Sequence, residues 1–145
     1  MTVTVSDMMT KELETIEEAS SVLDAAMRMR DTNVSSLVVV DKEGKPLGIV
    51  TERDIVRKAC VNDVSTSKVT NKEIMSPRLI TIDPDSSAST AIDIMLRNNI
   101  RHLLVINKDK PEKPLGMITP LDLRDEEFTD EGLRNAIEEL SMYYK

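Results

Sequence analysis

The stretch LVVVDKEGKPLGIVTERD, Leu37 to Asp54, decides the fold. It opens on four apolar residues, turns through a polar segment containing Gly44 and Pro46, and returns through a second apolar run to Thr51. Two short apolar runs broken by Gly and Pro read as a pair of buried strands. Thr51 then stands three residues ahead of Asp54, the spacing of a capping box, in which the threonine caps a helix and the carboxylate reaches back to the cap amide. That arrangement is common and is worth roughly 1 kcal/mol. A second reading stays open beside it: the same two groups face a cleft and hold the hydroxyls of a ligand.

The stretch occurs twice. At an offset of 66 residues, Met9 falls on Met75, Thr15-Ile16 on Thr81-Ile82, Met29 on Met95, and LVVVD (Leu37 to Asp41) on LLVIN (Leu103 to Asn107). The offset then becomes 68, because NKDKPEKP is a longer turn than DKEGKP, and LGIVTERD lies over LGMITPLD. Thr51 and Asp54 therefore correspond to Thr119 and Asp122. A period of this kind marks one supersecondary unit used twice.

Each copy reads strand, helix, strand, strand, helix. A short strand near Thr15-Ile16, or Ile80 to Ile82, leads through a Ser-rich cap into an amphipathic helix. In the second copy Ala88, Ala91, Ile92 and Met95 give that helix one apolar face. Apolar strands follow at Leu37 to Val40 and Leu47 to Val50, and again at Leu103 to Ile106 and Leu115 to Ile118. The last helix of each copy starts at Thr51 or Thr119, with Pro120 at the favoured first helical position. The resulting division is repeat one over 1–60, a polar linker over 61–72, repeat two over 73–125 and a C-terminal helix within 126–145. That helix starts at Thr129, carries Leu133, Ile137, Leu140 and Tyr144 on one stripe, and is stapled by Phe128 against Leu133. The stripe needs a partner, either this chain or a second copy. Neither small sheet covers both its faces alone, so the fold class is α/β (α+β), with the two copies packed face to face.

Composition removes several function classes. The 145 residues suffice for one compact domain or two small halves. Phe128, Tyr143 and Tyr144 are the only aromatic residues, so stacking platforms for bases are missing. A net charge of −7 argues likewise against a phosphate-backbone partner, and nucleic acid is not expected. Cys60 stands alone, which precludes an internal disulfide or a thiolate metal cluster, and no metal is expected. The N-terminus has no secretory pattern and LVVV is too short to span a membrane, so the cytoplasm is the expected location. There is no P-loop, no Gly-rich dinucleotide turn and no nucleophile with a paired base, so no enzymatic activity is expected.

The duplicated pattern, with NVSSLVVVDKEGKPLGIVTERDIV followed by NIRHLLVINKDKPEKPLGMITPLDL, resembles a cystathionine-β-synthase (CBS) domain pair, or Bateman module. The resemblance covers about Val3 to Leu123. One departure is Leu104, where the family usually has proline, expected to alter a strand end only. It implies two tandem β-α-β-β-α repeats forming a pseudo-twofold pair, with no enzymatic activity and no obligatory cofactor. It also implies adenosine-containing ligands (AMP, ADP, ATP or S-adenosylmethionine) in clefts between the repeats, and commonly a homodimer formed through helices.

Carried over by position, the resemblance implies two unequal clefts. In the first, Thr51 and Asp54 hold ribose hydroxyls, Leu79 and Ile80 flank adenine, and Arg101 and His102 meet phosphate. A carboxylate can accept two charge-assisted hydrogen bonds, and the planar fork of arginine donates twice to phosphate. In the second, Thr119 and Asp122 hold ribose with Leu13 and Glu14 near the base, but Ser35 and Ser36 replace the basic pair and Arg53 is the evident cation. The first cleft is therefore expected to take the phosphorylated ligand and the second to bind weakly or take a less charged one. Alternatives stand beside these roles: His102 as a strand-end residue, Arg53 as a solvated helix residue. If His102 meets phosphate, affinity falls as pH rises past its pKa. Cys60 reads as a small packed apolar side chain, and Met27, Met29, Met95 and Met117 fall at core spacings, with some methionines available to a dimer face. The leading function is a regulatory sensor of adenine nucleotides acting through a partner protein or its own oligomer. The competing one is an assembly module whose clefts stay empty.

Overall fold

A computed structural model describes residues 3–124 and 131–141. In chain order the elements are α1 (Val5–Met8), β1 (Thr15–Glu17), α2 (Val22–Thr32), β2 (Ser36–Val40), β3 (Pro46–Thr51) and α3 (Glu52–Asp54). A π-helix, Ile55–Cys60, continues α3. Then come α4 (Asn71–Ile74), β4 (Thr81–Ile82), α5 (Ala88–Asn98), β5 (Leu103–Val105), β6 (Gly116–Ile118), α6 (Pro120–Arg124) and α7 (Glu131–Ser141).

The duplication is carried down to single hydrogen bonds. β1-β2-β3 and β4-β5-β6 are two three-stranded sheets of the same order, the first pair parallel and the second antiparallel in each. Val38 N–H donates to Glu14 C=O, and its counterpart Leu104 N–H donates to Ile80 C=O, both at 3.0 Å. Ser21 caps α2 and Ser87 caps α5, each accepting from the amide three residues on. Both helices end on an asparagine in the left-handed conformation, Asn33 and Asn99, which tolerates it better than most residues. Leu104 is fully buried at the centre of β5, so the departure from proline falls inside a strand and leaves that strand an amide donor that proline lacks.

Contacts divide the chain into two compact units: Leu13–Leu79, and Met1–Glu12 together with Ile80–Lys145. The first unit is built on Ile16, Val22, Ala25, Met29, Leu37 and Val50. Its α4 is anchored by Asn71, whose wholly buried Nδ2 donates to the carbonyls of Glu17, Ser20 and Ser21. Ser76 exchanges two backbone hydrogen bonds with Ile49 of β3, and this fixes Gly48: a Cβ there would fall on the Ser76 carbonyl oxygen. The second unit repeats the device with Thr10, Met117 and Gly116. Its core includes Ile82, Ala91, Ile92, Met95, Leu103 and Ile118, and Ile137 and Leu140 of α7 join it. Ile137 and Leu140, two residues of the expected stripe, thus have their partner within this chain.

Several local expectations change. The segment after Cys60 is tied down, with Val22 N–H bonded to Val69 C=O and Leu23 N–H to Thr66 C=O. Met27 is 39% exposed, because Val22, Ala25 and Met29 define the buried face of α2 and Met27 points away from it. Cys60 is exposed rather than packed, since Ala59 is the residue that the π-helix turns inward. The Phe128–Leu133 staple, the Thr129 start and Tyr144 lie outside the described residues. Among the described residues no helix is long and apolar enough to cross a membrane.

Candidate functional site

The turn at the end of β3 builds the first candidate clamp. Thr51 leaves the strand with extended backbone (φ −122°, ψ 164°), so its hydroxyl faces the open turn of α3. Its Oγ1 accepts from the Asp54 amide at 3.1 Å, while Thr51 N–H and Oγ1–H both donate to Asp54 Oδ2 at 3.0 Å. The capping box is therefore complete. The other oxygen is held from elsewhere: Lys58 Nζ stands 3.2 Å from Asp54 Oδ1 and also donates to the Ile74 carbonyl at 2.9 Å. The Asp54 side chain remains 16% exposed. Glu52 N–H donates to Ser35 C=O, and Ser36 lies opposite Thr51 in the β2–β3 register, so the serine pair borders this clamp.

At the end of β6 the same plan is executed with different groups. Thr119 N–H donates to Asp122 Oδ2 at 2.8 Å and its hydroxyl at 3.3 Å. The Asp122 amide turns instead to the Thr119 carbonyl, at 3.1 Å. Asp122 Oδ1 accepts from the hydroxyl of Thr10 at 3.0 Å. One clamp is tethered by an ammonium, the other by a neutral hydroxyl.

The expected site residues divide between the two units. Leu13, Glu14, Ser35, Ser36, Thr51, Arg53, Asp54 and Leu79 belong to the first unit; Ile80, Arg101, His102, Thr119 and Asp122 belong to the second. Glu14 lies 3.7 Å from the Arg28 guanidinium. Arg101 and His102 immediately precede β5, whose Leu103 pairs with Ile118, so the basic pair borders Thr119 within its unit. Arg101 Nη1 donates to Asn99 Oδ1 at 3.4 Å. The residues expected in the two clefts are all partly buried except Arg53, which is exposed. Sequence reading missed Lys58 and Thr10. Lys58 was within reach of it, four residues past Asp54 on a helix; Thr10 lies 112 residues from Asp122 and gives no local signal.

Two further features bound the site. A depression of about 570 Å³ in the first unit is lined by Glu17, Glu18, Asp41, Glu43, Thr70 and Lys72 among others, at the opposite end of β2 from Thr51. Among the described residues no group of three or more His, Cys, Asp or Glu side chains is placed to hold a metal ion.

Comparison with known proteins gives the arrangement its family. The CBS domain family model matches residues 5–60 and again 72–128. The uncharacterised YlbB of Bacillus subtilis is 31% identical over 139 residues, spanning 94% of this chain and 90% of that protein. The uncharacterised MJ1404 of Methanocaldococcus jannaschii is 37% identical over 131 residues, spanning 82% of this chain but only 30% of that longer protein. Among solved structures, the CBS domain pair of MJ0100, in complex with 5′-methylthioadenosine and S-adenosyl-L-methionine, superposes with a TM-score of 0.74. It is 28% identical and covers 85% of this chain and 94% of that one. CBS pairs are commonly ligand-binding regulatory modules rather than catalysts. This chain belongs to the CBS domain family and carries the domain twice.

Proposed function

We propose that the protein is a regulatory module that senses an adenosine-containing ligand (AMP, ADP, ATP or S-adenosylmethionine), held at the ribose by Thr51 and Asp54. The observation that carries this reading is the state of the Asp54 carboxylate. Both oxygens are already fixed, yet the group is part-exposed and Oδ1 has taken only one donor. A carboxylate oxygen accepts two, so one ribose hydroxyl can bond Oδ1. Thr51 Oγ1 donates once and accepts once, leaving a lone pair for the other hydroxyl. The diol is thus shared between aspartate and threonine, and the helix cap need not be broken to bind it. The ligands of the MJ0100 pair, both adenosine derivatives, support the same class.

In this reading Leu79 and Ile80 flank the base and Arg101 and His102 take the phosphate. Thr119 and Asp122, with Leu13, Glu14, Ser35, Ser36 and Arg53, form the weaker counterpart. The protein is a homodimer that transmits occupancy to a regulated protein or through its own assembly. Exposed apolar residues of the first unit, Val56, Val61, Leu23 and Met27, support an assembly role. Calorimetric titration of the purified protein with AMP, ATP and S-adenosylmethionine tests the function. Saturable binding near one ligand per chain is expected. No binding of any of the three overturns it and leaves the second reading, an assembly module whose clamps act only as helix caps, which the complete capping box at Thr51 favours.

A further inference from the structure

We propose that Lys58 is a positioning residue that presets Asp54 for the ribose and links the clamp to the chain following α4. This rests on the adenosine reading above. Thr51 fixes only Oδ2, and a carboxylate held at one oxygen still swings about its χ2 torsion. The ammonium at Oδ1 removes that freedom before the ligand arrives, and a group ordered in advance costs less to use in binding. Two hydroxyl acceptors, Asp54 Oδ1 and Thr51 Oγ1, are left aimed by the same contacts.

The second contact of Lys58 extends the effect. Ile74, whose carbonyl it holds, ends α4, and Ser76 two residues on is locked to Ile49 of β3. Leu79, proposed at the base, follows three residues later. One ammonium therefore joins the ribose clamp to the segment that leads to Leu79, within a single unit. The second clamp has no such cation among the described residues: Thr10 supplies a hydroxyl there, and the sequence places Glu126 at the position matching Lys58.

The test is titration of wild type, Lys58→Met and Lys58→Arg with AMP and with 2′,3′-dideoxy-AMP, each variant checked for folding by circular dichroism. Lys58→Met is expected to weaken AMP about 10-fold while changing the dideoxy compound less than about 2-fold, and Lys58→Arg to restore AMP to within about 3-fold of wild type. Lys58→Gln, which keeps a donor for the Ile74 carbonyl, carries the same expectation should Lys58→Met not fold. Unchanged AMP affinity in the folded variants, or equal losses on both ligands, overturns the proposal alone. Failure of wild type to bind AMP at all overturns the ligand reading and this proposal together.

Discussion

Four times among the described residues a threonine is followed three residues later by a carboxylate that bonds back to it, and the four fall into two kinds. Thr4–Asp7 and Thr70–Glu73 open the short helices α1 and α4, and each carboxylate takes its hydrogen bonds from its own threonine. Thr51–Asp54 and Thr119–Asp122 follow a buried strand, and each carboxylate is gripped a second time, by Lys58 or by Thr10. The spacing alone therefore signals a helix start and nothing more. What sets the Thr51 and Thr119 pairs apart is a second partner on the other carboxylate oxygen, an ammonium one turn further along the helix in the first and a hydroxyl from across the chain in the second. The two clamps then differ from each other in that partner's charge.

The difference between them is broken most directly by removing each aspartate. Asp54→Ala is expected to weaken AMP about 100-fold, having lost a charge-assisted hydrogen bond, the alignment of Thr51 and the pairing of Lys58. Asp122→Ala is expected to change it less than about 3-fold. Titration of both variants decides the matter, and equal losses would end the assignment of the phosphorylated ligand to the first clamp.

Where the units are alike, substitutions should act alike. Gly48→Ala and Gly116→Ala each drive a methyl onto a backbone carbonyl, of Ser76 and Thr10 respectively, and neither carbonyl can withdraw without losing its ladder bonds. Each is expected to lower stability by about 2 kcal/mol in urea unfolding, the cost of forced overpacking. A large effect at one glycine and none at the other would show that the equivalence is only one of sequence.

Thr10→Val sharpens the contrast from the second clamp's side. It removes the hydroxyl on Asp122 Oδ1, in an exposed setting, and should cost about 0.5 kcal/mol while leaving AMP binding within about 2-fold. A larger loss of affinity would mean that the neutral tether serves the phosphorylated ligand after all.

How much of this was readable in advance follows from the range of each interaction. The strands, the helix faces and the duplication were legible because hydrophobic period and turn residues act within a few positions; Ala91, Ile92 and Met95 are buried as their spacing implies. The clamps were legible as threonine–aspartate pairs, again a local signal. The tethers divide. Lys58 stands four residues past Asp54, a spacing that helix geometry makes readable, whereas Thr10 meets Asp122 across 112 residues and Lys58 meets the Ile74 carbonyl across 16, contacts set by packing. Thr70 and Glu73 fit the same motif as Thr51 and Asp54, yet they sat in a stretch that polarity marked as linker. Cys60 departs from its residue type because helical phase turns it outward, and Met27 lies off the face that Val22, Ala25 and Met29 bury.

The smallest expected effect comes from the plain caps. Hydrogen bonds from Thr4 hold the Asp7 carboxyl below its ordinary value, the amide contributing most, and those from Thr70 do the same for Glu73. A carboxyl whose folded pKa is depressed releases its proton more readily in the folded chain, so its stabilisation is complete above the unfolded values, 3.8 for Asp7 and 4.5 for Glu73. It fades as pH falls through the lower folded values. Asp7→Asn and Glu73→Gln should therefore lower stability slightly at neutral pH and flatten the acid limb of a stability–pH curve, because a neutral amide accepts the same amide proton without the charge. Both groups are fully exposed, so solvent screens the effect and the flattening should be small and reduced further by salt. Parallel curves for wild type and the double variant would mean that these boxes act through local geometry alone, with no contribution from the carboxylate charge.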